Sequence, residues 1–460
     1  MLRYYLSPCR AFFLVCALLA LVTGVVAQES SSSAQVQNAV DVQQPAPERG
    51  DSFVLPVLFA AANAELPPMA TGAESERANY VGASFALGAT FDDNLLNTDP
   101  ASNKGMSYFV SPTLEWQVTH PRDAWSLTYT PGFSRYDVGD RQNFMTHNLD
   151  TQFSRRMTRR WTVRARTQYS VSSNPFLVLG TEGSENGAPV GDNSRLVTPL
   201  AKQALFMADL ATSYQLGKND YLGLSGGWAS SQFDALNGMS ANLLDRNGAT
   251  AQGFYAHRLS ARNMVGVEYR FQQFRFSPVS SLTLSHRVLY FHAITFNPAW
   301  TLSFFIGPEQ SVSSGTFSGL GTLRDYKDWN VSTGATLGWQ RKTEYVRLTV
   351  ARRVTDGGGL ATSLQQNSAA LDMRRLLTRH SALNIGARYD RGRVLVAAPG
   401  QKALSTIAGG IGFERNLSEN LILHFGYERV HQDAEGLTGM TNHNRVVASL
   451  MYQFSRPIGR

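Results

Sequence analysis

Apolar and polar residues alternate in one segment after another from Tyr80 to Phe454, and this repeat constrains the fold more than any other feature. The apolar positions of the first segment are Val81, Ala83, Phe85, Leu87, Ala89 and Phe91. A period of two is typical of a β-strand with one apolar face, because successive side chains point to opposite sides. The sequence therefore predicts an all-β chain.

The connections between these segments alternate between short and long. Short polar turns are predicted near His120, Thr158, Gly217, Ser260, Asn297, Arg341, Thr378 and Leu417. Longer connections are predicted at 174–199, 234–247, 311–328 and 433–442. This alternation is typical of outer-membrane barrels, in which the short turns face the periplasm. Since each short turn joins two strands, the pattern predicts a transmembrane up-and-down antiparallel β-barrel of about 18 strands.

Aromatic side chains cluster close to the predicted short turns. The predicted girdle residues are Trp116, Trp125, Trp161, Trp300, Trp339 and Tyr345. Amphipathic rings at the level of the lipid headgroups form such girdles in membrane barrels. A soluble all-β fold is the alternative, but it would place its tryptophans in the middle of buried strands.

The N-terminal part of the chain predicts three further regions. Residues 1–27 have arginines followed by an apolar core and small residues, which is typical of a cleaved signal peptide. Residues 28–79 predict a disordered linker with a short apolar segment, residues 80–454 the barrel, and residues 455–460 a C-terminal tail. Both cysteines, Cys9 and Cys16, lie in the predicted signal, so the mature chain has no thiol for a disulfide, metal site or nucleophile.

The most basic stretch, residues 154–170, contains six arginines, four of them at helical spacing. A basic helix that binds nucleic acid is one interpretation of that spacing. However, strict alternation begins at Trp161, which favours a strand end, a turn at 158–160 and a new strand. The net charge of +7 is mild for 460 residues and gives no support for a nucleic-acid partner.

The polar positions of the strands are expected to face the lumen. The predicted pore-lining residues are Arg164, Arg166, Glu268, Arg270, Arg347, Arg353, Arg388, Asp390, His424 and Glu428. A barrel of about 18 strands is too wide for side chains alone to fill. We therefore expect a porin-like passive channel for small polar solutes. The excess of arginine favours a weak anion preference or the binding of acidic polysaccharide, unless the arginines only pair with acids along the wall.

Enzymatic and metal sites find little support in the sequence. Ser285-His286 and His380-Ser381 are adjacent pairs, and strand neighbours point to opposite faces, so a membrane-embedded hydrolase is only a remote alternative. Asp92-Asp93-Asn94 could either hold Ca²⁺ with other loop oxygens or begin a turn. We predict no cofactor and no metal.

The stretch GATFDDNLLNTD, Gly88 to Asp99, resembles the opening strand of the beta-barrel porin 2 family of Gram-negative outer-membrane proteins. The resemblance implies an outer-membrane barrel whose substrate is generally unassigned, and some members are linked to exopolysaccharide export. Val446, Ala448, Leu450, Tyr452 and Phe454 alternate like the strand that the barrel-assembly machinery recognises. The expected partners are outer-membrane lipid and that machinery. Polysaccharide and a second copy of the chain stay open as partners.

Overall fold

The computed structural model consists of antiparallel strands in all the regions that it describes. The described residues are 79–94, 104–137, 142–172, 201–235, 243–278, 280–317, 321–359, 361–395, 403–434 and 439–457. The strands are β1 Asn79–Asp92, β2 Gly105–Thr119, β3 Asp123–Asp137, β4 Gln142–Arg156, β5 Trp161–Ser172, β6 Ala201–Gln215, β7 Asp220–Ala235, β8 Asp245–Ser260, β9 Asn263–Ser277, β10 Ser280–Asn297, β11 Trp300–Phe317, β12 Gly321–Gln340, β13 Glu344–Gly357, β14 Ala361–Thr378, β15 Ser381–Val394, β16 Ala403–Asn416, β17 Leu421–Ala434 and β18 Gly439–Pro457. Among the described residues, no helix is long and apolar enough to cross a membrane.

The sheet closes on itself. Each strand pairs with its neighbours in the chain, and β1 also pairs with β18, which gives an 18-stranded barrel. The closing register runs from Tyr80↔Pro457 to Asp92↔Arg445. Closure leaves no free sheet edge at this seam, so its backbone groups are paired. The predicted fold, an up-and-down barrel of about 18 strands, is confirmed.

All eight predicted short turns connect consecutive strands at one end of the barrel, which we call the turn end. At the opposite end, the loop end, β11 and β12 cover most of the predicted connection 311–328, and β17 and β18 extend into 433–442. The period of two is lost there because both faces of these strand ends carry polar residues, although strand pairing continues. β18 likewise runs past Phe454 to Pro457. The predicted connection 174–199 lies outside the described residues.

The outward face of the barrel is apolar and exposed. On β1, for example, Val81, Phe85, Leu87 and Phe91 are all exposed. The six predicted girdle residues lie near the turn end, where the Trp116 and Trp125 rings are 4.7 Å apart and those of Trp300 and Trp339 are 6.1 Å apart. Trp161 Nε1 donates to Thr212 Oγ1 at 2.6 Å. Tyr345 is the exception: it alternates with the outward-facing Val346 and therefore faces inward, with the guanidinium of Arg347 5.9 Å from its ring, so its prediction as a girdle residue was wrong. The assignment of these rings to a membrane interface stays a prediction.

Candidate functional site

Solvent-exposed positions of the lumen lie on two walls, with Asp150, Arg164 and Arg166 on β4–β5 and Asp372 and Gly386 on β14–β15, and we call them together the open sector. These residues alternate with outward-facing apolar side chains, so they point inward. Asp372 is paired with Arg347 at 3.3 Å, yet 48% of its side chain is exposed. A carboxylate that faces the inside of a barrel and is half exposed must border solvent-filled space.

Two further observations support water in the open sector. A Cβ added at Gly386, whose position on β15 faces inward, would meet no atom within 4 Å. Arg164 also faces inward and is nevertheless exposed. Two residues further along β5, on the same inward face, Arg166 donates to Asp150 Oδ2 at 2.5 Å. The cross-strand partner of Arg166 on β6 is Asp209. This part of the wall therefore carries both a paired and a solvated arginine.

Other predicted lumen residues form ion pairs along the wall of β15–β18. Glu428 pairs with Arg445 at 2.8 Å, and Arg388 with Asp390 at 2.6 Å. His424 lies between Leu423 and the exposed, outward-facing Phe425, so its ring faces inward. Arg374, which is not one of the predicted pore-lining residues, pairs with Glu414 at 2.8 Å. Acid–base pairs, one of them within β15 and the others between strands, thus line much of this wall.

On β9–β11 the inward-facing charged residues Glu268, Arg270, Arg287 and Glu309 are buried instead. We call them, together with Val354 of β13, which contacts Glu309, the packed sector. Arg270 pairs with Glu268 at 2.6 Å. Glu309, only 1% exposed, accepts a hydrogen bond from Ser285 Oγ at 2.7 Å and lies 4.0 Å from Arg287. Arg287 also donates to Gln272 Oε1 at 2.5 Å. The alternation that points charges into open space elsewhere points them into protein here.

The filling of the packed sector comes from the β13–β14 hairpin. β13 pairs with β12 only as far as Thr333↔Arg352, whereas β13 and β14 stay paired to Gly357↔Ala361. Beyond Arg352 the hairpin turns into the lumen, where the Val354 N–H donates to Glu309 Oε2 on β11 at 3.4 Å. Val354 joins a buried apolar cluster on the inner wall, made of Leu205, Met207, Ala229, Phe274, Phe276, Val354 and Leu395.

The tip of the hairpin is fixed to β7 and β8. The Leu244 N–H donates to the Gly359 carbonyl at 2.7 Å, and Asp356 forms a buried ion pair with Arg246. Gly359 has φ +89°, and a Cβ there would meet the Phe233 ring at 2.6 Å. A second buried apolar cluster lies beside the tip and consists of Ala201, Leu243, Leu364, Val394, Leu404 and Ala434. The hairpin therefore crosses the lumen toward the loop end as an inserted element.

Strand alternation alone did not predict this insertion. The longest of the predicted connections, 174–199, lies outside the described residues. The signal that was present is Thr355-Asp356-Gly357-Gly358-Gly359, since consecutive glycines allow the positive φ values of 60° and 89° found at Gly358 and Gly359.

The motif Asp92-Asp93-Asn94 lies at the barrel seam. Asp93 accepts hydrogen bonds from the backbone N–H and the side-chain amide of Asn444, at 2.7 and 2.6 Å. Asp92 and His443 form a buried contact at 3.3 Å. These contacts join the loop ends of β1 and β18, which explains the motif as a clasp. No group of three or more His, Cys, Asp or Glu side chains in the described ranges is placed to hold a metal ion.

The serine–histidine pairs do not converge. Ser285 points inward to Glu309, whereas His286 points outward and lies 2.8 Å from the Tyr269 hydroxyl. His380 lies in the turn between β14 and β15, where its N–H donates to Thr378 Oγ1 at 3.2 Å. The predicted separation of Ser285 and His286 onto opposite faces is confirmed.

No known family model matches the chain, and no curated protein matches it. Solved structures with a similar barrel include OccK2 (OpdF) of Pseudomonas aeruginosa, with 13% identity, a TM-score of 0.43 and coverage of 83% of this chain and 98% of that one. The BenF-like porin from Pseudomonas fluorescens Pf-5 has 11% identity, a TM-score of 0.42 and coverage of 82% and 99%. The ferric-catecholate import receptor Fiu from E. coli K12 has 8% identity, a TM-score of 0.43 and coverage of 82% and 81%. The resemblance to the beta-barrel porin 2 family stays a prediction.

Proposed function

We propose that the chain is a porin-like passive channel for small polar solutes in the outer membrane of a Gram-negative bacterium. The observation that carries this proposal is the inward-facing, half-exposed carboxylate of Asp372. A wide barrel whose wall bears solvated charges provides a polar path that lipid does not. The predicted signal peptide and the exposed apolar outer face support the proposed location.

The β13–β14 hairpin makes this channel a closed one at rest. Its tip is held by an ion pair and a backbone hydrogen bond, and its flank by two apolar clusters, so the loop-end half of the lumen is narrowed. Solutes then pass when the hairpin moves toward the wall. Such a gate would give brief conductance events rather than a constantly open pore.

The charges of the wall favour anions weakly. Most inward arginines are paired with acids, and paired charges largely cancel for a passing ion. Arg164 is the inward arginine of the open sector that has no ion-pair partner among the described residues, and its solvated guanidinium is the cation that a passing anion meets there. Of the predicted pore-lining residues, Arg164 and Arg166 line the water-filled part in this proposal, and Arg347 is buried beside the exposed Asp372. Glu268 and Arg270 are buried in the packed sector and Arg353 lies on the hairpin, so these three do not line the resting pore.

Planar-bilayer recording on the chain without residues 1–27 tests the proposal. We expect discrete conductance steps, and in a KCl gradient a reversal potential that shows a weak anion preference. Arg166→Ala removes a cation and frees Asp150 and Asp209, so the reversal potential should move toward cation preference. Arg415→Ala, at an exposed outward position on β16, is the matched control and should leave it unchanged.

The proposal fails if neither this protein nor Arg246→Ala/Asp356→Ala, in which the hairpin tip is released, shows any steps. Folding of each variant is checked by heat-modifiable migration on gels. A silent barrel that binds acidic polysaccharide would favour the polymer-binding alternative.

A further inference from the structure

The outward face of the barrel carries a row of polar side chains next to the point where the hairpin leaves the wall. Arg352 on β13 is the cross-strand partner of Asn367 on β14, which in turn pairs with Arg391 on β15. All three are exposed, and we call them the outer row. The same face directly toward the turn end is apolar, with Leu348, Val350, Leu371 and Tyr389 exposed.

The outer row lies near the edge of the apolar band. Trp339 at the turn end and Trp329 share the outward face of β12 and are roughly 25 Å apart along the barrel axis, from about 3.3 Å per residue and a tilt near 40°. This matches the height of a membrane barrel's apolar band, about 25 Å. Trp329, 64% exposed, marks the outer edge, and Arg352 pairs with Thr333 just inside it.

Neither guanidinium of the outer row has an acidic partner. Among the described residues, the side chains of Arg352 and Arg391 make no ion pair and no hydrogen bond, whereas nearby Arg393 pairs with Asp328 at 3.2 Å. Arginine facing outward within a membrane is costly unless an anion accompanies it. Two strand spacings, about 10 Å, separate the two arginine backbones, so both long side chains can reach one group between them.

The pairing of β12 with β13 ends beside the outer row. Because β13 turns inward, the loop-end part of β12 beyond Thr333 has no β13 partner, and Ser332 Oγ donates to the Arg352 carbonyl at 3.4 Å. The pair Arg393–Asp328 spans the gap further toward the loop end. Trp329, Arg352 and Asn367 lie exposed on the outer surface beside this unpaired part of β12.

We propose that the outer row is a binding site for the phosphate of an anionic membrane lipid, whose acyl chains cover the apolar face below it. Phosphate accepts bidentate hydrogen bonds from arginine, and the Asn367 amide adds a further donor. The acyl chains distinguish a lipid from free phosphate, because Val350, Leu371 and Tyr389 offer them a contiguous apolar surface. The site is independent of whether the lumen conducts.

Native mass spectrometry of the folded mature chain in mixed micelles tests this site. The probes are dimyristoyl phosphatidylglycerol and dimyristoyl phosphatidylcholine at equal concentration. We expect one phosphatidylglycerol to be retained preferentially, and Arg352→Gln/Arg391→Gln to reduce that preference about tenfold or more, since each basic residue near a membrane surface attracts anionic lipid.

The matched control is Arg415→Gln/Arg429→Gln, which removes two exposed outward arginines on β16 and β17 that do not form a row. It should retain phosphatidylglycerol like the wild type. Arg352→Lys/Arg391→Lys keeps the charge but not the bidentate geometry and should bind at an intermediate level. Equal retention by the Gln double variant and the wild type, loss in the control double variant, or displacement of the lipid by equimolar inorganic phosphate would each overturn the proposal. Heat-modifiable migration confirms that every variant is folded.

Discussion

The open sector and the packed sector of the lumen begin from the same sequence pattern and reach opposite environments. In both, charged residues alternate with apolar ones along a strand. Asp372 in the open sector is half exposed, whereas Glu309 in the packed sector is 1% exposed. The difference comes from the inserted part of the β13–β14 hairpin, which covers the inner side of β9–β11 and leaves the residues of the open sector to water. Alternation therefore decides which way a side chain points, and the inserted hairpin decides what it meets.

Locking the hairpin should have the largest effect. Arg246→Cys/Asp356→Cys places the only two thiols of the chain without residues 1–27 at the buried ion pair of the tip. A short bis-methanethiosulfonate cross-linker, which forms a disulfide with each thiol and releases methanesulfinate, should then abolish conductance steps in planar bilayers, because the hairpin can no longer leave the lumen. A reductant that cleaves the linker should restore them.

The same chemistry in the open sector provides the control for that experiment. Asp150→Cys/Arg166→Cys replaces an ion pair that joins neighbouring strands of the wall, so its cross-link bridges no moving part. Conductance should persist there with altered ion selectivity. Steps that survive the tip cross-link, with complete linkage shown by mass spectrometry, would refute the gate and leave the open wall as the whole channel.

Removing one carboxylate from each sector should lower the free energy of unfolding more in the packed sector than in the open sector. Glu309→Ala leaves Arg287 without its acid and Ser285 and Val354 without their acceptor. We expect the free energy of unfolding to fall by about 3 kcal/mol, the usual cost of breaking a buried pair. Asp372→Ala in the open sector should cost less than about 1 kcal/mol, because solvent screens that pair. Urea titrations in lipid vesicles, followed by tryptophan fluorescence, measure both.

The two losses carry different consequences for the channel. Glu309→Ala also removes the acceptor that holds the hairpin flank, so steps should become more frequent in bilayers. Asp372→Ala should leave their frequency unchanged. Similar stability losses in the two variants would mean that Glu309 is as hydrated as Asp372, and the packed sector would then be no different from the open one.

Local alternation was sufficient to predict the barrel. The strand number, the eight short turns and the inward position of Arg164 and Arg166 all follow from the period of two and the turn residues between Tyr80 and Phe454. These features depend on residues close in sequence, since a membrane barrel must present an apolar side chain at every second position. The basic stretch at 154–170 shows this: Trp161 begins β5, so its helical spacing was incidental.

The inserted hairpin could not be predicted in the same way. Val354 continues the outward positions of Val346, Leu348 and Val350, and alternation alone would assign it to the outer face. Its burial depends on contacts with Phe274 and Leu205, which are distant in sequence. The clasp between Asp93 and Asn444 depends on pairing of the first and last strands, and that too is a long-range property.

Two glycines allow the hairpin tip and the open sector to be compared by adding a single methyl group to each. Gly359→Ala places a methyl group against the Phe233 ring at a residue with φ +89°, and we expect a loss of about 1–2 kcal/mol, the cost of the left-handed conformation for an L-residue. Gly386→Ala adds the same methyl group in the open sector, where nothing lies within 4 Å, and it should be neutral or slightly stabilising through the unfolded chain. Urea midpoints in vesicles distinguish these results, and the Gly359 variant should also show more frequent conductance steps. An equal loss in both variants would show that the lumen around Gly386 is filled, and the channel would lose one of the observations that support open space beside Asp372.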